Sequence, residues 1–383
     1  MPAVAIIFWL CVALIVWTQL GYALALALIA QVRARRAGPP RRRHEPEPSV
    51  SLIIAAHDEE DVIAGKVADA LAQRYPRGRI EVIVACDGCT DETARRARAA
   101  GADVVLELAR GGKIRAQDAA VEVARGDLVA FSDANARWEP DALAALVAAF
   151  DDPRVGYACG QVRFVQAAAG AHADNQEGVY WRYEMAVRAL ESRLSSVTAG
   201  NGAIYATRRA DYVVVDPIMG HDLSFPFKMV KRGRRAVYVA GARASEKMVP
   251  SLLGEFARKR RMMSHTWPIL LRGGMLSPRG YPPGYAAMIF SHRLLRYCTP
   301  ALHVLALACN VALVATGQGI VYVVTLALQL ALLAAALLAG LLPARPLLVA
   351  RYYVLTTASP AAGLWDWLRH GTAAAWEATQ GTR

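Results

Sequence analysis

The chain has 383 residues, enough for two domains or for one domain with a membrane part. It is 55% apolar and 20% charged, on the apolar side of an ordinary soluble domain, which excludes a disordered chain. The 44 Lys and Arg against 32 Asp and Glu give a net charge of +12, but the Arg clusters border apolar segments, where lipid headgroups are the nearer phosphates, so no nucleic acid is expected as a partner.

From Met1 to Val32 no residue is charged, and the run exceeds the roughly 20 apolar residues that span a bilayer core. Residues 1–32 are therefore expected to form an N-terminal transmembrane helix. Arg33, Arg35, Arg36, Arg41, Arg42 and Arg43 follow, with Pro39 and Pro40 among them. This basic linker, 33–48, belongs on the cytoplasmic side and places the N-terminus outside. Between 49 and 250 short apolar runs alternate with helical patterns. Strands are predicted at 51–56, 81–86, 103–106 and 128–132, and helices at 62–71, 91–100, 114–124 and 140–150. Such alternation implies an α/β fold with a mostly parallel sheet and helices on both faces. Leu252, Leu253 and Phe256 then lead into Arg258-Lys259-Arg260-Arg261, so 251–296 reads as amphipathic interface helices.

A second run without formal charge extends over 297–344, interrupted only by His303. It is about twice the spanning length, and Thr316-Gly317-Gln318-Gly319 offers a turn, so a transmembrane hairpin of 298–316 and 319–341 is expected. Residues 345–383 are ambiguous, because Arg351, Pro360 and Asp366 break the apolar pattern. This segment either spans, re-enters, or lies in the interface with Trp365 and Trp367 at headgroup level, and then ends in a tail.

Cys86-Asp87-Gly88-Cys89 has metal-ligand spacing, but no second Cys/His pair accompanies it, so reduced, structural cysteines are expected. The placement of acidic residues says more. Asp58, Asp87 and Asp133 each stand at the carboxyl end of a predicted strand, where α/β sheets bind ligands. One such residue reads as a helix cap or turn former. Three converging on one cleft call for a hard divalent cation bridged to a diphosphate. There is no G-x-G-x-x-G and no Walker A loop, against a dinucleotide or P-loop fold. Gly111-Gly112-Lys113 before a helix is either a phosphate cradle or a plain loop.

Together these residues resemble the membrane-anchored family 2 glycosyltransferases, the group of cellulose, chitin, hyaluronan and poly-N-acetylglucosamine synthases. The likeness runs from about Ser49 to Met263. Ile53 to Glu60 is similar to the family's opening strand, with His57 and Asp58 in place of Tyr and Asn. Cys86-Asp87-Gly88-Cys89-Thr90-Asp91 is similar to its D-G-S-T-D, and Gly112-Lys113 to its G-K loop. Phe131-Ser132-Asp133-Ala134-Asn135 stands where D-x-D belongs, with Asn for the second Asp. Gly220-His221-Asp222 occupies the place of T-E-D, and Arg258 to Met262 that of Q/R-x-x-R-W. Trp376-Glu-Ala-Thr379 and Thr382-Arg383 loosely resemble a Trp–Thr–Arg tail seen in some synthases.

The resemblance implies a GT-A-like fold flanked by transmembrane helices at both ends. It further implies Asp222 as catalytic base; Asp58, Glu59, Asp87, Lys113, Asp133, Arg258 and Arg261 at the nucleotide sugar; and Mg²⁺ or Mn²⁺ on Asp133 and Asn135. Asn201, Gly202, Trp181 and Met262 fall on the acceptor side. Arg258 and Arg261, a turn apart, would reach one diphosphate, although the same helix face could rest on anionic lipid. Met262 replaces the Trp on which synthases stack acceptor sugar. Trp181 or Trp267 could supply that stacking or could be core. The expected activity is inverting transfer from a nucleotide sugar, UDP-linked by preference, to a hydroxyl of a growing polysaccharide at the cytoplasmic face of a bacterial inner membrane. The alternative acceptor is a lipid or polyprenyl phosphate receiving a single sugar. A reading of another class is a nucleotide-binding membrane receptor or channel without transferase activity.

Overall fold

A computed structural model describes residues 1–34, 47–165, 174–247, 252–342 and 344–374. Most of the Pro/Arg linker at 33–48, the boundary at 250/251 and the tail residues Trp376, Thr379, Thr382 and Arg383 lie outside the described residues.

Eight strands form one sheet: β1 (Val50–Ala56), β2 (Ile80–Asp87), β3 (Val104–Leu108), β4 (Leu128–Asp133), β5 (Arg137–Trp138), β6 (Val155–Val165), β7 (Ile204–Arg208) and β8 (Arg235–Lys247), in the order β3-β2-β1-β4-β7-β6-β8-β5. The first four strands are mutually parallel. β7 runs antiparallel to both β4 and β6, while β6 and β8 pair in parallel. The sheet is thus mixed and mostly parallel.

Its two faces bury two separate cores because side chains alternate along each strand. Leu52, Ile54, Val82, Val84 and Leu128 point to one face, where they meet Ile63, Val67, Ala97 and Leu146 from three short helices. Ile53, Ile83, Val129 and Phe131 point to the other and meet Ile114, Ala120, Val187 and Phe225. Burial on both faces explains why β1, β2 and β4 read as continuous apolar runs. Fully burying a side chain such as Leu52 or Ile53 contributes about 1.5–3 kcal/mol.

The second face also carries the membrane-side helices, since Tyr22, Leu26, Trp267, Tyr285 and Trp367 belong to the same core. Among the described residues, two helices are long and apolar enough to cross a membrane, Pro2–Arg33 and Ile320–Leu338. A third candidate exists if Pro283–Tyr297 and Thr299–Ala315, bent by 62° at Cys298, form one broken span. The predicted hairpin therefore appears as Thr299–Ala315 and Ile320–Leu338, with Gly317 and Gly319 at positive φ in the turn. Phe8 and Cys11 of the N-terminal helix pack on Ala306, Cys309, Leu313 and Tyr322. Between the hairpin legs, the Asn310 amide donates to Thr325 Oγ1 at 3.0 Å and Gln329 Oε1 at 2.9 Å, a polar link typical of apolar helix pairs. Leu10, Leu24, Leu28, Leu328 and Leu337 remain exposed, a surface suited to hydrocarbon.

The ambiguous C-terminal stretch is one continuous helix, Arg345–His370, despite Pro360. It is long enough for a span but not apolar enough, and it lies along the helix Leu252–Leu271, tied by Arg260 to Asp366 and by Trp267 Nε1 donating to the Pro360 carbonyl at 2.8 Å. A proline inside a helix frees the carbonyl four residues earlier. The Thr356 carbonyl, freed by Pro360, accepts the Ser359 hydroxyl at 2.8 Å. The Ser264 carbonyl, freed by Pro268, accepts Thr372 Oγ1 at 2.9 Å and so pins the segment that follows the last helix. Both prolines are tolerated because each orphaned acceptor finds a local hydroxyl.

Candidate active site

Asp133 ends β4, and its carboxylate pairs with the Lys113 ammonium at the start of the helix Lys113–Val123. Burial alone would lower the Lys113 pKa. Asp133, with Asp222 and Glu246 beyond it, outweighs that and holds the ammonium above its usual range. The preceding loop owes its shape to Asp87, which is 1% exposed and accepts the Gly111 and Gly112 amides at 2.6 and 3.0 Å. Gly112 has φ 95°, a conformation glycine adopts without strain, and this lets both amides converge on one carboxylate.

Asp222 lies in the first turn of the helix His221–Lys231, whose interior contains Pro226. Pro226 has no N–H for the Asp222 carbonyl, which instead accepts the Gly200 amide at 2.6 Å. The backbone of the candidate base is thereby bonded to the Gly200-Asn201-Gly202 loop. That loop is tightly seated: a Cβ on Gly200 would collide with the Tyr157 hydroxyl, and one on Gly202 would lie 3.8 Å from Lys113 Nζ. His221, beside the base, is buried among Tyr205, Tyr212 and Phe225, with Nδ1 2.8 Å from the Tyr205 hydroxyl. Burial first, and then Lys113, push its pKa down to about 3, so the ring is neutral at physiological pH.

One cavity of about 1450 Å³ joins these groups. Its wall includes Lys113, Asp133, Asp222, Asn201, Gly202, Trp181, Met262 and Arg258, and it extends to Gln19 and Leu20 of the N-terminal helix and to Arg345, Val349 and Tyr352 of the C-terminal one. Trp181 is braced by its Nε1 donating to the Val162 carbonyl at 2.6 Å and by an edge contact with Phe164.

Five of the expected site residues fall outside the cavity wall. Asp58, at φ 48°, accepts the Thr90 amide at 2.8 Å and so joins the first two strand-end loops. Glu59 is buried, its amide held by Thr93 Oγ1 at 2.8 Å. Asp87 is committed to the glycine loop as described. Asn135 follows Asp133 in the turn closed by the Ala136 amide on the Asp133 carbonyl. Arg261 is exposed and turned away. Arg258 and Arg261 lie about 60° apart around the helix, and of the two only Arg258 lines the cavity. The second cation on that side is Lys259, whose ammonium donates to Tyr352 Oη at 2.8 Å. Trp267 is core, with its indole on the Pro360 carbonyl.

Sequence reasoning passed over Glu246 of β8, which lines the cavity. Burial, and then the nearby Asp133, push its pKa up to about 7. It also passed over Arg188, Arg293 and Arg296, which line the cavity as well. Only fold-level contacts bring these four to the site, and no local motif marks them. The proline four residues after Asp222 was the one signal in the sequence for the Gly200 link.

The sheet order, a strand-end Asp with its loop lysine, and an Asp-bearing helix facing them define a GT-A-like glycosyltransferase fold. The model of the "Glycosyltransferase like family 2" matches residues 46–264, and the chain belongs to that family. Membership decides for an enzyme and against the receptor or channel reading. An N-acetylglucosaminyltransferase of Rhizobium leguminosarum bv. viciae is 27% identical over 233 residues, which are 56% of this chain and 54% of that protein, so the chain spans about half the length of the curated relative it matches. Among solved structures, the mannosyltransferase PcManGT of Pyrobaculum calidifontis, in complex with GDP-Man and Mn²⁺, superposes with a TM-score of 0.68 at 21% identity, covering 95% of this chain and 99% of that one.

Proposed function

We propose that the chain catalyses metal-dependent, inverting transfer of a sugar from a nucleoside diphosphate sugar to an acceptor that reaches Asp222 from the membrane side, at the cytoplasmic face of the bacterial inner membrane. The observation that carries this reading is the single cavity shared by Asp133, Lys113, Asp222 and the membrane-side helices. The donor fits the strand-end wall. Asp133 and Asn135 offer only oxygen donors, the set a hard cation takes, and Lys113 already sits on the Asp133 carboxylate as a cation would. Mg²⁺ or Mn²⁺ held by these two residues would neutralise charge on the departing diphosphate. Lys113 and Arg258 add positive charge on the same wall, and Asp222 takes the proton of the attacking acceptor hydroxyl. Asp58, Glu59 and Asp87 act by shaping the loops around the nucleotide.

For the acceptor, the Lys259, Arg293 and Arg296 side chains along the cavity favour a lipid-borne, anionic molecule over a neutral chain. Polysaccharide elongation, the second reading, draws on Trp181 in the same wall as a stacking surface and on the N-acetylglucosaminyltransferase relative. Membranes containing the protein would be incubated with Mn²⁺ and labelled UDP- and GDP-sugars, and the product partitioned between organic solvent and a polymer precipitate. Label is expected in the organic phase from one donor. Label in the precipitate would establish elongation, and no transfer from any donor would overturn the proposal.

A further inference from the structure

We propose that Arg188 is the receptor for a phosphate group carried by the acceptor. The inference rests on the reading above only in taking the cavity as the acceptor's path. Arg188 stands in the helix Asp174–Leu194, is 7% exposed, and lines the cavity. Its Nη1 is buried with no hydrogen-bond partner among the described residues. Carboxylates three and four residues away on the same helix, Glu191 and Glu184, would ordinarily pair with it. Both are taken. Arg296 and His292 hold Glu184, while Tyr22, Thr198 and His292 hold Glu191 at 2.6–3.1 Å.

A guanidinium cannot shed its proton to escape this situation, and a buried cation without a counter-charge is strongly disfavoured. A ligand anion resolves it. A second unsatisfied donor lines the same cavity: Asn201 Nδ2 is buried with no partner among the described residues, its Oδ1 being held by the Ala203 amide at 3.1 Å. A planar fork of N–H donors with an amide donor suits an oxyanion that has several acceptor oxygens, and phosphate is the biological example. Arg293, also 7% exposed and on the cavity, faces Glu191 and Glu184 and has its Nε fixed on Thr198 Oγ1 at 2.8 Å, so it is already balanced. The donor diphosphate has its own cations in Lys113 and Arg258, which leaves Arg188 for the acceptor.

The test is isothermal titration of the full-length, detergent-solubilised protein with farnesyl phosphate, farnesol and glucose 6-phosphate. UDP and GDP with Mn²⁺ serve as the donor-site control. The wild type is expected to bind farnesyl phosphate at least about tenfold more tightly than farnesol, and Arg188→Gln to lose at least about tenfold of that affinity. Arg188→Lys should retain part of it, and nucleoside diphosphate affinity should be unchanged in both variants, which also shows that they are folded. A preference for farnesyl phosphate over glucose 6-phosphate assigns the phosphate to a lipid headgroup, and the reverse to a soluble phosphate; either supports the site. Equal affinity of wild type and Arg188→Gln for both phosphates overturns the proposal. So does a nucleoside diphosphate affinity that falls in Arg188→Gln at an unchanged melting temperature. Binding requires no turnover, so failure of the transfer reaction and failure of this site are read separately.

Discussion

Asp222→Asn should reduce turnover by about 10²–10⁴-fold, the usual range for losing a general base, while leaving the donor Kd within about twofold. The substitution is nearly isosteric, and what holds position 222 in place is backbone rather than side chain. Its carbonyl accepts the Gly200 amide because Pro226 provides no N–H, and Asn leaves that bond intact. The acceptor loop and the helix start should therefore stay where they are, and the loss should fall on kcat rather than KM. Steady-state kinetics combined with titration of the nucleoside diphosphate separates the two. Unchanged turnover would transfer the role to Glu246, another carboxylate on the cavity, whose pKa is pushed up to about 7 and is thus suited to proton exchange near neutrality.

Asp133→Ala is expected to be more damaging still. It removes the carboxylate that ends β4 and breaks the Lys113–Asp133 ion pair. Metal-based charge stabilisation is worth several kcal/mol, so kcat/KM should drop by at least about 10³-fold and the response to added Mn²⁺ should disappear. Asn135→Ala, which deletes a neutral donor, should cost much less and mainly raise the Mn²⁺ concentration needed for half-activation. Metal titrations of activity in the two variants provide the check. Mn²⁺ dependence that survives in Asp133→Ala would place the cation elsewhere.

In the half of the sheet from β1 to β4, β1, β2 and β4 were legible because they are buried on both faces. Runs such as Leu52-Ile53-Ile54 leave no other assignment, and Asp87 and Asp133 then mark the strand ends. The other half was not. β8 reads Arg-Ala-Val-Tyr-Val-Ala-Gly-Ala-Arg-Ala-Ser-Glu-Lys, where small and charged residues interrupt the apolar run and long-range pairing with β6 and β5 makes the strand. Glu246 shares that obscurity, and Arg188 stands out only because residues more than a hundred positions away engage its helix neighbours Glu184 and Glu191. The hairpin at 297–344 was visible from hydropathy and its glycine turn, whereas the continuity of Arg345–His370 through Pro360 turns on one serine hydroxyl beside the proline. Of the two arginines a turn apart, packing of the helix Leu252–Leu271 against its neighbours chose Arg258 for the cavity, and sequence spacing carries no such information.

A single in-line displacement with Asp222 as base would invert the anomeric carbon. NMR of the first product, formed from a nucleotide sugar of known anomer, reads this out. Inversion is expected, an α-linked donor giving a β-linked product; a retained anomer would rule out the single displacement.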